Sequence, residues 1–560
     1  MRGWKVFIAG IIFSCFFSCK KKEDTPAPPP VVVPKPLNIT AVFLNDLSFD
    51  NTSILYGVPT TSTIKLRFST AILKSSVAAA VSLIDVNAGT SLPVTSSFQN
   101  GDSTLLIQPA SPLKYVTKYA FNITTALNSA EKISLTAAIN KVYITQIDSS
   151  RKFASITDND LLDTIQKKTF RYFWDFGHPV SGLARERNTS GETVTSGGSG
   201  FGIMAIVTGV SRNFITRAQG LSRMQTITGF LKNTANKFHG AFPHWLNGTT
   251  GAVIPFSAKD DGADLVETAY LMQGLLCARQ YFNGADAGET ALRDNINVLW
   301  NGVEWDWFRQ NNQDVLYWHW SPGNNWDMNV KIRGWNECLI TYVLAASSAS
   351  HSIPKTVYDN GWALNGGMVN GANYYGYPLP LGPANGGPLF FSHYSFLGIN
   401  PNGLADTYAS YATQTKNHTL INYGYCKTNP QSNFGYSDSC WGLTASDIQN
   451  GYTASSPTND VGVIAPTAAI SSLPYTPAES MKALKFFYYV LGDKLWKDYG
   501  FIDAFSLKDA WFADSFLAID QGPQIIMIEN YRTGLLWSLF TSCPEVKTGM
   551  KTLGFTAPYL

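Results

Sequence analysis

Residues 260–282 run Asp260-Asp-Gly-Ala-Asp-Leu-Val-Glu-Thr-Ala-Tyr-Leu-Met-Gln-Gly-Leu-Leu-Cys-Ala-Arg-Gln-Tyr-Phe282. Apolar residues recur at i, i+3, i+4 and i+7, which predicts a helix over 264–282 with a buried stripe. Asp264 opens that helix and Glu267 follows three residues later, so the two carboxylates share one helical face. The same pair is close to a capping box, with Asp264 as N-cap and Glu267 at N3. A cap accounts for those two acids, but not for Asp260 and Asp261 immediately upstream.

The helical period extends outward from this stretch. Segments 159–175, 216–238, 289–310, 334–349, 404–416, 477–491 and 523–541 carry it, separated by loops rich in Gly, Pro, Asn and Trp. No alternation of strands with helices supports a parallel sheet. Residues 158–556 therefore read as one all-α unit. Paired helices closed into a ring would bury these stripes and leave a mouth lined by loops and helix starts. Residues 37–147 have the period of strands: Ile64, Leu66 and Phe68 alternate with Lys65 and Arg67, and Tyr119, Phe121 and Ile123 alternate again. A turn at Asn100-Gly101-Asp102 leads into Leu105 and Ile107. Short strands at this spacing predict a small β-sandwich, read as a spacer or accessory module.

At the N-terminus Arg2 and Lys5 precede the apolar run Val6 to Phe17, and residues 1–19 read as an export signal. The run is too short for a membrane span, which needs about 20 apolar residues. Phe16-Phe17-Ser18-Cys19 resembles a lipobox, with Cys19 acylated. Residues 20–36 then form a charged and proline-rich tether. The expectation is a monomer held at the bacterial cell envelope by that lipid alone. Cys277 and Cys338 lie in apolar helical patterns and read as core; Cys426 and Cys440 flank a polar loop and are able to pair in an oxidising compartment.

Of the 560 residues 45% are hydrophobic and 13% aromatic, while charged residues make up only 15%, against roughly 25% in average soluble domains. A net charge of +2, with no basic run outside the leader, gives no footprint for nucleic acid. No clustered His/Cys set calls for a metal, and no motif calls for a cofactor. Gly197-Gly-Ser-Gly-Phe-Gly202 lacks the Lys-Ser/Thr ending of a phosphate loop, and its glycines read as sites of close approach to a sugar or another helix. The excess of rings suits a cleft that stacks on sugars.

Glu337, in Gly334-Trp-Asn-Glu-Cys338, reads as a first-turn acid of an otherwise apolar helix. Desolvation raises the pKa of an acid against an apolar wall, and outweighs the opposite pull of a helix N-terminus of about 0.3–1 kcal/mol. Such an acid suits proton donation near neutral pH. Candidate sugar contacts are His244 and Trp245, then Trp318, His319 and Trp320, then His393 and Tyr394, each a histidine among rings in a loop. Asp261, Trp441, Asp447 and Asp520 complete the candidates. Glu529 and Arg532, three apart, read as a structural pair.

Several long motifs resemble, in order, the glycoamylase-like domain. They are Thr169-Phe-Arg-Tyr-Phe-Trp174, Gly197 to Ala205, Gly240-Ala-Phe-Pro-His-Trp245, Asp261 to Thr268, Trp318-His-Trp-Ser-Pro322, Gly387 to Ser395, Trp441 to Asp447 and Glu529 to Trp537. The nearest group resembled is glycoside hydrolase family 144, and the β module resembles bacterial immunoglobulin-like modules. The resemblance implies an (α/α)6 toroid cutting β-1,2-glucan with inversion, and catalytic acids at Asp264, Glu267 and Glu337. Inversion needs the two working carboxyls about 6.5–9.5 Å apart, with water between. Asp264 and Glu267, one turn apart, do not suit that demand as a pair. Glu337 is then expected as the acid, Asp264 or Asp447 as the base, and Glu267 as a hydroxyl contact. Two alternatives stay open: a hydrolase releasing sophorose from chain ends or acting on another glucan such as starch, and a non-catalytic surface glycan-binding lipoprotein.

Overall fold

The computed structural model describes residues 35–51 and 53–560, with Ser14 and Cys15. The acylation expected at Cys19 and nearly all of the tether lie outside the described residues. Among these, no helix is long and apolar enough to cross a membrane.

Strands between Ile39 and Thr145 form two five-stranded sheets. One has the spatial order Leu47–Ser48, Ile39–Leu44, Ile64–Phe68, Thr104–Pro109, Val94–Gln99. The other runs Ile54–Val58, Ile139–Thr145, Lys118–Ile123, Val81–Asp85, Thr90–Leu92. Pairing is antiparallel except between Ile139–Thr145 and Ile54–Val58. The alternation foreseen over 64–68 is what buries Ile64, Leu66 and Phe68 in the module's core with Leu83, Leu105, Phe121 and Ile123. The connection before Thr104–Pro109 turns through three successive left-handed residues, Asn100, Gly101 and Asp102, types that tolerate positive φ.

From Asp158 onward the chain is mainly helical. Helix Ser196–Ser211, absent from the sequence expectations because its glycines mask the period, is almost wholly buried between helices Leu265–Tyr281 and Ala518–Thr533. Its glycines permit backbone contact with the first of these. A Cβ on Gly200 would stand 2.1 Å from the Tyr270 carbonyl oxygen, and one on Gly274 would stand 2.2 Å from that of Gly200. The glycine-rich motif thus serves helix packing. Other boundaries differ too. The expected 404–416 helix runs Tyr411–Thr428, 523–541 resolves into Ala518–Thr533 and Leu535–Thr541, and 334–349 begins only at Leu339.

Two short ribbons bring distant acids and rings face to face. Ala263–Asp264 pairs with His319–Trp320, placing Asp264 opposite His319. Ala445–Ile448 pairs with Gly451–Ala454, placing Asp447 opposite Tyr452. The β module packs directly on the helical part: Tyr56 stacks on Phe434 with centroids 5.3 Å apart, and Asn87 Nδ2 donates to the Ala510 carbonyl at 2.9 Å. Val116 and Ile144 join the helical core.

Two side-chain pairings expected from sequence are not made. Cys426 and Cys440 are buried free thiols, each set in apolar surroundings. Glu529 turns to Arg212 (Nε–Oε2 2.6 Å), and Arg532 pairs instead with Asp163.

Candidate active site

Helix Leu265–Tyr281 is capped by Asp264, whose Oδ1 accepts from the Val266 and Glu267 amides at 3.0 and 2.9 Å. This fulfils half of the expected capping box. The other half does not form, because Glu267 turns away from the cap. Its Oε2 accepts from the Gly197 amide at 2.8 Å and from Thr195 Oγ1 at 3.3 Å. A Cβ at Gly197 would lie 2.5 Å from that oxygen, so only glycine lets the amide approach. One helix start therefore holds one acid as a cap and turns the other into a cavity.

That cavity has a volume of about 450 Å³. Glu267, Glu337 and Glu186 supply its carboxylates; Arg187, Thr195 and His244 line it too, with Trp245, Phe256, Tyr270, Trp318, Phe390, Tyr394 and Tyr452 as aromatic walls. Glu337 does not sit within a helix as expected, but in the turn just before Leu339–Ser347. Its carbonyl is held by the Ser395 and Tyr270 hydroxyls. Burial pushes the Glu337 carboxyl up to about 7, and the charges of Glu267 and Asp264 push the same way.

Behind one wall lies a cluster of acids and histidines. Asp264 Oδ2 is 3.0 Å from His244 Nδ1, while His319 Nε2 is 3.5 Å from Asp260 Oδ2 and 3.7 Å from Asp264 Oδ2. Burial disfavours the imidazolium of His244, but Glu267, Asp264 and Asp260 outweigh it and lift the ring to about 9. Burial likewise works against the Asp264 charge, and hydrogen bonding from His244 with the field of His319 keeps it below the usual carboxylate range. Asp260, buried beside Asp264, is raised to about 7. Burial lowers His319.

A second cluster surrounds Arg187. Its Nη1 lies 3.2 and 3.1 Å from the two Asp447 oxygens, and its Nε bonds Glu186. Ser515 Oγ donates to Asp447 Oδ2 at 2.6 Å. The Asp447 amide donates to Asp503 Oδ2 at 2.7 Å. Asp503 lies beside Asp520, and both are almost fully buried. Burial raises Asp503 to about 7, and burial with the Asp503 charge lifts Asp520 well above its usual range. Such a pair holds one proton between two carboxyls.

Comparison with known proteins places this geometry. The sequence model of a family described as "Putative glucoamylase" matches residues 329–544, and that of a bacterial Ig-like domain matches residues 49–146. An endo-β-1,2-glucanase structure from Chitinophaga pinensis is 50% identical, covered over 100% of its length by 72% of this chain, with a TM-score of 0.71. A β-1,2-glucanase structure from Parabacteroides distasonis is 37% identical over 92% of this chain and 73% of its own, with a TM-score of 0.70. The chain belongs to the glycoamylase-like glycoside hydrolases of family 144. An exo β-1,2-glucooligosaccharide sophorohydrolase, also from P. distasonis, is 47% identical over 71% of this chain, but only 58% of that relative's length is spanned.

In this glycoside hydrolase the expected site residues divide into three groups. Glu267, Glu337, His244, Trp245, Trp318 and Tyr394 meet in the cavity. Asp264, Asp261, His319, Asp447 and Asp520 are not among its lining residues, and of these Asp264 and Asp520 are buried. The third group belongs elsewhere. His393 is buried against Ser472 Oγ at 3.0 Å and its imidazole is driven down to about 3 by burial, so it is a neutral core residue and not a sugar contact. Trp441 is fully buried with Nε1 donating to the Glu479 carbonyl, and Trp320 packs among Trp307, His239 and Phe238. Glu186, Arg187, Phe256, Tyr270 and Tyr452 were not foreseen. They are single residues in loops or one face of a buried helix, and only the Asp447–Tyr452 register and Arg187's proximity to the glycine motif hinted at them.

Proposed function

We propose that this chain hydrolyses β-1,2-glucan by an inverting acid/base mechanism in a cleft at the mouth of an (α/α)6 ring of helices. The observation that carries the reading is Glu337: a carboxyl inside a ring-lined cavity, raised by burial to about 7. It gives its proton to the leaving glycosidic oxygen. Asp264 is unsuited as base, since it is 0% exposed with both oxygens engaged by the helix amides and His244. Asp447 also has its oxygens held, by Arg187 and Ser515, but its side chain keeps 14% exposure, and it is the carboxylate left to activate water. Glu267 keeps Oε1 for a sugar hydroxyl while Oε2 is bound to Gly197. Asp264 keeps His244 protonated, so that the imidazolium donates into the cleft.

Release of reducing ends from β-1,2-glucan, set against other β-glucans and starch, tests the substrate. Turnover on β-1,2-glucan that Glu337→Gln abolishes is expected; near-normal turnover by that variant removes Glu337 as the acid. The 47% identical sophorohydrolase supports a second reading, exo release of disaccharide. Mixed oligomers from a long chain support endo cutting, and sophorose alone supports exo. We also propose export and acylation at Cys19, with the protein a monomer at the cell envelope, on the strength of Phe16-Phe-Ser-Cys19 and the tether. Loss of lipid labelling in Cys19→Ala is the expected outcome.

A further inference from the structure

Two large aromatic side chains line the cavity while remaining half exposed: Phe256 and Tyr452 are each 50% accessible. The neighbouring rings Tyr270 and Tyr394 are buried, so these two are the rings of the lining that keep an open face. Both stand on braced supports. The Phe256 amide donates to the Asp260 carbonyl at 2.9 Å and the Asp260 amide returns to Ser257 at 3.1 Å, closing a tight turn four residues before Asp264. The ring of Phe256 lies on His244 with centroids 4.2 Å apart and planes at 26°. Tyr452 comes from a hairpin whose two-residue turn, Gln449-Asn450, lets it face Asp447 in register. One ring is therefore tied to the acid–histidine cluster and the other to the arginine cluster.

Resting on the glucan reading above, we infer that Phe256 and Tyr452 form a two-ring clamp at the cleft mouth that grips the glucan chain outside the bond being cut. Each ring covers a pyranose face on a support already fixed, so little order is lost on binding. The clamp adds affinity for chains long enough to reach it, in ground and transition states alike. Such uniform binding acts on KM and leaves kcat largely alone. Burying about 60 Å² of exposed ring by a sugar corresponds to roughly a tenfold change in affinity.

The test uses the full chain and its variants Phe256→Ala and Tyr452→Ala, with long β-1,2-glucan and short β-1,2-glucooligosaccharides as substrates. Both side chains are half exposed, so thermal melting should change little and serves as the folding control. The expected result is a rise of about tenfold in KM for the long chain in each variant, with a far smaller fall in kcat and a weaker effect on the shortest oligosaccharide. Unchanged KM in both variants, or loss in kcat alone, overturns the clamp. If the unsubstituted chain cleaves no β-1,2-glucan, the glucan reading fails and the clamp with it; cleavage of the glucan with both variants retaining KM overturns the clamp alone.

Discussion

The acid–histidine cluster behind His244 and the arginine cluster behind Tyr452 solve one problem in different ways. Each removes several carboxylates from water, at a cost of several kcal/mol per ion when uncompensated. The first draws a proton onto His244, which leaves Asp264 ionised and gives the cavity a cationic donor. The second has one guanidinium for Glu186 and Asp447, so the deeper acids Asp503 and Asp520 retain a proton between them. Glu337 has neither partner, and its proton is the one available for transfer. Acids of one chemical type are thus sorted into a cap, a buried acid pair and a proton donor by what lies within hydrogen-bonding reach.

The largest effect expected is from Glu337→Gln, which keeps shape and removes the proton: kcat should fall by about 10³-fold or more with the fold intact, read by initial rates and circular dichroism. Next is His244→Phe, which leaves Asp264 as a buried charge without its partner. Urea unfolding should show a loss of about 3–5 kcal/mol; a change under about 1 kcal/mol would mean the two clusters are not compensated differently.

The clusters should also separate by pH. A group raised in the folded state binds its proton more tightly there, so its contribution declines as pH climbs from the unfolded to the folded value. For His244, raised to about 9, stability present below its ordinary value of about 6.5 is lost between the two. For Asp503, raised to about 7, the loss begins near 4. Asp503→Asn should flatten only the lower window, by on the order of 1–2 kcal/mol, in melting curves taken from about pH 4 to 9. Activity should fall as pH rises through about 7, where Glu337 loses its proton. The smallest effect is chemical: Cys426 and Cys440, buried and with thiols pushed up by burial, should resist alkylation in the native protein and react only on unfolding.

The same sorting explains which residues were legible in the sequence. Asp264 and Glu267 were visible because a helix start fixes their spacing, and Glu337 because the apolar helix that follows it signals burial. The β module was visible through its period of two. His393 and Trp441 misled because a ring-rich loop that packs inward carries the same residues as one that faces a cleft. Asp503 and the pairing of Arg187 with Asp447 gave no signal, since these partners meet only across long separations, 260 residues for the latter. The helix Ser196–Ser211 was hidden by the glycines that let it pack.

The meeting of Gly200 and Gly274 bears on how such an enzyme diversifies. Two main chains in contact leave no side chain between them to be enlarged or trimmed, so Glu267 and its Gly197 anchor stand on ground that drifts little. Phe256 and Tyr452 are half exposed, so either side chain is open to replacement. Natural variation can therefore exchange the rim, and with it the length of chain accepted, while the machinery below keeps its alignment.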